Sequence, residues 1–439
     1  MTPWLSAAYR TAARAAELVS LVTPPSAPGK VGKAFTARRG IRGRYRAWGA
    51  EYRDRSRPLL WLHAASVGEG LMALPVLERV RRALPSVQIA YTFYSPSAES
   101  VADQMGADFS DYLPFDSVSS ARVALDALDP TAIVFTKGDV WPSLVREAAA
   151  QDVRLALLSA SIPASSRRTG GVGAMLTRDA YHALDAIGAA SNDDAERIVE
   201  AGARANRVRV TGDTRYDQAW ARAHTARRNV STVEDLASSR PTLVAGSTWR
   251  SDERALFPAW LAVRAAVPTA RLIIAPHELA VGHLASMRQW ARANSLSAAG
   301  LDAATDETDV VIVDRMGVLA DLYAVATVAY VGGGFHDSGL HSLVEPAVFR
   351  VPVLVGPNHE DSRDAALMLS AGGAVSVDGA SLPRALLRLM SDDAERTDRS
   401  DAIGSVVAAE LGAVDRSFEI VRELLRTVQV ESLHQVNPE

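Results

Sequence analysis

Short apolar runs alternate with helix-patterned stretches through most of the chain. In the first half, Leu59–Ala64, Val87–Thr92, Ala132–Phe135, Arg154–Ser159 and Val208–Thr211 are continuous enough, and short enough, to predict buried strands. Gly70–Ala83, Ser97–Met105 and Val118–Ala127 carry helical spacing between them. The second half repeats the scheme. Strands are predicted at Thr242–Ala245, Arg271–Ala275, Val310–Val313, Val328–Val331, Val353–Val355 and Ala374–Val377. Helices are predicted at Asp252–Ala266, Leu279–Ala293, Val318–Ala324, Leu343–Phe349 and Asp361–Ser370. Strands separated by helices imply βαβ units and parallel sheets. The expected architecture is α/β: two Rossmann-like domains facing each other across a cleft, with ligands at the carboxyl ends of the strands.

The divisions follow from the same reading. Residues 1–25 form an amphipathic helix, 26–222 the first domain, 223–240 a polar, weakly patterned linker and 241–400 the second domain. Residues 401–439, with helical spacing over Asp401–Val428, are expected to pack back on the first domain. A chain of 439 residues is long enough for two or three separate cores.

Charge changes this picture at one end. Within residues 1–57, Arg10, Arg14, Lys30, Lys33, Arg38, Arg39, Arg42, Arg44, Arg46, Arg53, Arg55 and Arg57 stand against only Glu17, Glu51 and Asp54. The whole chain carries a net charge of −4, so it is not a nucleic-acid polycation. A basic end on an acidic protein points to an anionic surface as partner, or to a solvated, partly disordered arm. Over Trp4–Val22, Arg10, Arg14 and Glu17 share one helical face. Trp4, Leu5, Ala8, Ala12, Ala15 and Val19 lie largely on the other, and Pro24 and Pro25 end the helix. Three charges make it a poor bilayer span, which needs about 20 apolar residues. It reads as an interfacial helix or as a surface helix packed on its own domain. The absence of cysteine excludes disulfides, thiolate chemistry and cysteine-ligated zinc.

Candidate chemistry lies in the loops after the predicted strands. Trp61 to Gly70 leaves the first strand and enters a helix, so Glu69 sits near a helix N-terminus, where the dipole favours its ionised form. An ionised carboxylate there can take a proton from an attacking hydroxyl, or it can simply stabilise the helix. Ser66 belongs to the same loop, and Gly68 and Gly70 allow a substrate close to the backbone. Lys137 and Asp139 follow the third predicted strand and could meet an anion and a hydroxyl, or pair with each other. In the second half, Ser247 and Thr248, then Pro276 and His277, follow successive strands. Gly332, Gly333 and Gly334 lead toward His341, Ser342 and Glu345. Glycine loops and strand-end hydroxyls suit phosphate, and Glu345 could accept bonds from a ribose diol. Tight turns and helix caps would account for the same residues.

In this order and spacing, the loops resemble the Kdo (3-deoxy-D-manno-octulosonic acid) transferase family, over about Leu59 to Val377. The most specific pieces are His63-Ala64-Ala65-Ser66-Val67-Gly68-Glu69, Tyr112-Leu113-Pro114-Phe115-Asp116, Val140-Trp141-Pro142, Val210 through Asp217, Gly246-Ser247-Thr248, Gly332-Gly333-Gly334 and His341 through Ala347. The resemblance implies the GT-B fold of glycosyltransferases and a metal-independent, inverting transfer of Kdo from CMP-Kdo to a lipid A precursor. It implies Glu69 as base, with Ser66, Gly68, Lys137 and Asp139 on the acceptor side. Ser247, Thr248, Pro276, His277, Gly332, Gly333, Gly334, His341, Ser342 and Glu345 would hold the donor. It also implies work at the cytoplasmic face of the inner membrane, held there by the N-terminus, with CMP-Kdo a substrate and no cofactor.

The chain departs from the family at Lys137-Gly138-Asp139, where two acids are usual, and at Pro276-His277-Glu278, where an arginine follows the proline. Leu340-His341-Ser342 stands for Gly-His-Asn, and Ala160-Ser161-Ile162 for Arg-Leu-Ser. The alternatives are a GT-B transferase with another nucleotide sugar, a sugar-nucleotide epimerase, and a non-catalytic relative that binds the sugar nucleotide or lipid.

Overall fold

The computed structural model describes residues 3–24, 26, 29–163, 171–229, 236, 239–337 and 339–434. Two seven-stranded sheets carry the chain, and every strand pair in them is parallel. The first contains β1 Leu59–His63, β2 Gln88–Phe93, β3 Phe109–Tyr112, β4 Ala132–Thr136, β5 Arg154–Ala160, β6 Ala186–Ala189 and β7 Val208–Val210, in the order β3-β2-β1-β4-β5-β6-β7. The second contains β8 Thr242–Thr248, β9 Arg271–Pro276, β10 Ala298–Gly300, β11 Val310–Ile312, β12 Val328–Val331, β13 Val353–Val355 and β14 Ala374–Ser376, in the order β10-β11-β9-β8-β12-β13-β14. This is the α/β arrangement of the GT-B class.

The central strands are buried on both faces, which is why they read as unbroken apolar runs. Three strands escape that signal. β3 is an edge strand whose Ser110 is exposed, while β6, apart from Ile187, and the edge strand β10 consist of alanine and glycine, which have little β preference.

The chain divides into two units, Met1–Gln218 with Leu411–Glu439, and Ala219–Glu410. The helix Thr214–Asn229 runs into the segment expected as a linker, of which residues 230–235, 237 and 238 lie outside the described residues. The expected division at 400/401 falls inside the helix Asp393–Glu410. The final helix, Ala413–His434, lies against the helix Val67–Ala83 and against β5 and β6 of the first unit. Asp217 fixes where it starts, accepting the backbone N–H groups of Gly412 at 2.8 Å and Val414 at 3.3 Å.

The basic N-terminal segment is built into the first unit rather than extended as an arm. Helices form at Pro3–Val22, Gly29–Ala37 and Ile41–Glu51. Arg38 is buried, and its guanidinium donates to the carbonyls of Leu113 (2.8 Å), Ala34 (2.8 Å) and Tyr94 (2.9 Å). Arg44 pairs with Asp111, and Arg53 donates to the Leu128 carbonyl at 2.7 Å. The face of the first helix is also rotated from the sequence expectation. Glu17 turns inward, accepting from Ser117 (2.8 Å) and Ser120 (3.0 Å) and pairing with Arg42, so it does not share the exposed face of Arg10 and Arg14. Leu5 is buried, while Trp4, Ala8, Ala12, Ala15, Leu18, Val19 and Val22 are exposed. Pro25 lies outside the described residues.

Asp217→Ala leaves two N–H groups at a helix start without their acceptor. It should lower unfolding stability by about 1–2 kcal/mol, read from the shift of the urea midpoint at constant m-value. An unchanged midpoint would mean that water replaces the carboxylate without loss.

Candidate active site

In an open parallel sheet, strand order reverses at a switch point, and the loops leaving the two strands there diverge and open a crevice. In the first sheet the switch lies between β1 and β4, in the second between β8 and β12. Most loops expected to carry chemistry leave these strands, and the Pro276–His277 loop leaves the neighbouring β9. Of the seven non-glycine residues with positive φ among the described residues, two lie on the switch-point strands or just after them: Lys137 after β4 and Ser247 in β8, with φ of 62° and 54°.

In the first unit, Glu69 lies in the first turn of the helix Val67–Ala83 and is partly exposed. Its Oε2 accepts the backbone N–H of Ala65 at 2.7 Å, so the carboxylate is drawn back over the loop that leaves β1. Ser66 is the N-cap, without a side-chain capping bond. Gly68 is exposed, and a Cβ there would meet nothing within 4 Å. Gly70 differs from the expectation. A Cβ there would lie 2.8 Å from the Tyr91 hydroxyl, so this glycine makes room for Tyr91 rather than for a substrate. The Tyr91 hydroxyl is buried without a hydrogen-bond partner; burial, then the charge of Glu69, pushes its pKa up. Lys137 is exposed, and its ammonium makes no hydrogen bond or ion pair among the described residues. Asp139 is partly buried in the same loop.

The other distinctive residues of this unit hold the loops in place. His63 is buried between Thr92, whose Oγ1 lies 3.0 Å from Nδ1, and Trp141, whose indole N–H donates to Nε2 at 3.0 Å. Accepting at Nε2 puts the proton on Nδ1. Burial, then nearby Arg38, pulls the His63 pKa down to about 3. Trp141 in turn stacks on Tyr94 at 4.8 Å. Asp116 accepts the N–H groups of Ser143 and Leu144, both at 2.8 Å, capping the helix Pro142–Ala149, and also the Tyr9 hydroxyl at 2.7 Å. Burial pushes its carboxyl up to about 6, against the pull of these bonds.

In the second unit, buried Asp252 organises three loops. It accepts from Trp249 N–H (2.8 Å), Gly333 N–H (2.9 Å), Phe335 N–H (3.1 Å) and the Tyr330 hydroxyl (2.9 Å). Two N–H groups of the glycine triplet expected to cradle phosphate are committed internally. The Gly333 N–H goes to Asp252 and that of Gly332 to the Gly246 carbonyl at 2.9 Å. What the glycines provide is closeness: a Cβ would lie 2.3 Å from Ser247 O at Gly332 and 2.5 Å from Gly356 N at Gly334. Two expected hydroxyls are also committed internally. Thr248 donates to Glu253 at 3.1 Å, and Ser342 to Asp364 at 3.0 Å. Pro276 is the buried last residue of β9.

Four expected residues keep accessible groups. Ser247 is partly exposed and its hydroxyl has no partner among the described residues. His277 and His341 lie beside Trp249. Glu345 is partly buried, without a hydrogen bond or ion pair among the described residues, and burial raises its carboxyl pKa, with Arg222 opposing and Asp321 adding. Tyr323, whose hydroxyl closes on Gly246, feels the Glu345 charge. Tyr91, Tyr323 and Asp252 were not among the expected site residues, because they act mainly through remote fold contacts; only the Asp252 bond to the Trp249 N–H has a local, capping-box spacing. No group of three or more His, Asp or Glu side chains among the described residues is arranged to hold a metal.

Comparison with known proteins adds to this geometry. A family model described as 3-deoxy-D-manno-octulosonic-acid transferase (kdotransferase) matches residues 38–218. A 3-deoxy-D-manno-octulosonic acid transferase of Bordetella pertussis is 32% identical over 83% of this chain and 87% of its own. One from Haemophilus influenzae is 23% identical over the same shares, 83% and 87%. Among solved structures, the UDP-GlcNAc 2-epimerase of Neisseria meningitidis is similar in fold, with a TM-score of 0.61, 12% identity, and coverage of 84% of this chain and 100% of that one.

His63 stays neutral in the folded protein down to about pH 3, whereas its ordinary pKa is 6.5. In that window only the unfolded chain takes the proton, so this residue's contribution to stability is lost as pH falls below 6.5. Asp116, raised to about 6, has the opposite sign in the same window, but equally in wild type and variant. The stability difference between wild type and His63→Gln should therefore shrink on going from about pH 7 to about pH 5, measured by urea unfolding at each pH. A difference that stays constant would show that His63 titrates normally.

Proposed function

Because the chain belongs to the 3-deoxy-D-manno-octulosonic acid transferase family, we propose that it moves Kdo from CMP-Kdo to a hydroxyl of a lipid A precursor in lipopolysaccharide biosynthesis. The observation that carries the mechanism is Glu69: a partly exposed carboxylate in the first turn of a helix at a sheet's switch point, beside the open surface of Gly68. The acceptor hydroxyl gives its proton to Glu69 as its oxygen attacks the anomeric carbon of Kdo. The bond from that carbon to the phosphate oxygen breaks on the opposite side, the configuration inverts, and CMP leaves with the electron pair. This reading needs no metal. Lys137, a cation after β4 without a partner among the described residues, meets an anionic group of the acceptor. Ser247, His277 and His341 face the donor phosphate and Glu345 the ribose, while Asp252 and the glycine triplet hold these loops at the required closeness.

The acceptor lies in a membrane, and the first helix suits that setting. No helix among the described residues is long and apolar enough to cross a bilayer. Trp4, Leu18, Val19, Leu21 and Val22 are exposed, with Arg10, Arg14, Lys30 and Lys33 exposed nearby in the chain. An apolar strip flanked by cations lies in a headgroup layer. On this reading the protein is held at the cytoplasmic face of the inner membrane by that strip.

Purified protein, given CMP-Kdo generated in situ and a tetra-acylated lipid A precursor, should yield a product heavier by one or more Kdo units in the mass spectrum. No product would sink the reading. Glu69→Ala should lower kcat by at least about 10²-fold, the share general-base catalysis supplies, with CMP binding nearly intact; equal turnover would remove Glu69 as base. Trp4→Glu combined with Leu21→Glu should abolish co-sedimentation with vesicles containing phosphatidylglycerol. Sedimentation that persists would place the membrane contact elsewhere.

A further inference from the structure

The rings around Trp249 make an arrangement that the donor reading does not explain. The indole is sandwiched between His277, at 4.4 Å between centroids and 25° between planes, and His336, at 4.1 Å and 14°. His341 lies 4.7 Å from His277 and accepts the indole N–H at Nε2, 3.3 Å away. These four residues come from the ends of β8, β9 and β12, which are neighbours in the sheet and include its switch point. Three imidazoles so close together repel one another once charged. The groups facing His341 are His277 from the β9 loop, Asp252 from the helix Arg250–Ala266 and His336 from the β12 loop. Burial chiefly, then His277, lowers the His341 pKa; His336 adds to this, and Asp252 alone opposes it. Asp252 is already saturated by four donors. Neither His277 ring nitrogen has a hydrogen-bond partner among the described residues.

We propose that Trp249, His277, His336 and His341 form a proton-coupled phosphate site, in which the anionic group of a nucleotide binds against the imidazoles and draws a proton from solvent onto them. The negative charge that the cluster lacks comes with the ligand. The indole face stabilises a protonated ring stacked on it, as it would any cation. In the absence of ligand, the His341 Nε2 lone pair accepts the indole N–H and so carries no proton. Charging is thereby tied to occupancy, and donor affinity rises as pH falls. The proposal rests on the donor reading above and adds a proton to it.

The test is calorimetry of CMP binding to the full chain at about pH 8, in two buffers of different ionisation heat. There the phosphate of CMP, with a second pKa near 6, is already a dianion and contributes little uptake of its own. Wild type should take up at least about half a proton more per CMP than the His277→Asn/His341→Asn variant. In parallel, the ring NMR signals of His277 and His341 in wild type should move to imidazolium positions when CMP is added. This second measurement stands even if the variant folds poorly. CMP binding with no uptake and unmoved ring signals would overturn the cluster's role and leave the transferase reading intact. No CMP binding to wild type would overturn both.

Discussion

A strand-end loop in an open parallel sheet must reverse direction with no neighbouring strand to take its N–H groups. In the second unit the Asp252 carboxylate meets that need. It is buried at a helix start and accepts four donors from the Trp249 turn, Tyr330 on β12 and the glycine loop. A carboxylate without those donors would be costly to bury, and the donors without it would be orphaned. Each condition enforces the other, so three separate segments are drawn to one point. The glycines complete the effect, because any Cβ at Gly332 or Gly334 would collide with backbone. His277 and His341 lie 4.7 Å apart beside the Trp249 turn that this carboxylate holds.

The first unit solves the same problem with Asp116, which caps the helix Pro142–Ala149 and receives the Tyr9 hydroxyl. His63 then ties β1 to Trp141 through its unprotonated Nε2. These bonds fix the start of the Trp-Pro helix next to the strand that leads to Glu69. Much of what looks like catalytic signature in this unit is thus support for the loops. The N-terminal helix shares the support, since Tyr9 and Glu17 are inside it while the apolar strip faces out.

The chain itself fixed the class of fold. Buried parallel strands have no polar face, so β1, β4, β9 and β12 appear as plain apolar runs, and alternation with helices leaves few arrangements. The order of the strand-end loops also pointed to Glu69, because its place in a helix's first turn is a local property. What the chain could not reveal was which loop residues face outward. Thr248 and Ser342 look like free hydroxyls but donate to Glu253 and Asp364, five and twenty-two residues away. Gly70 looks like room for substrate but is room for Tyr91. The basic segment reads as an arm, yet Arg38 finds its acceptors on Leu113 and Tyr94. Except for Glu253, the deciding partner is distant in sequence, so periodicity and spacing carry no record of it. Hydrophobic pattern is a sum over neighbours and survives in one dimension. Hydrogen-bond partnership is a matter of a few tenths of an ångström between remote atoms, and only the folded chain decides it.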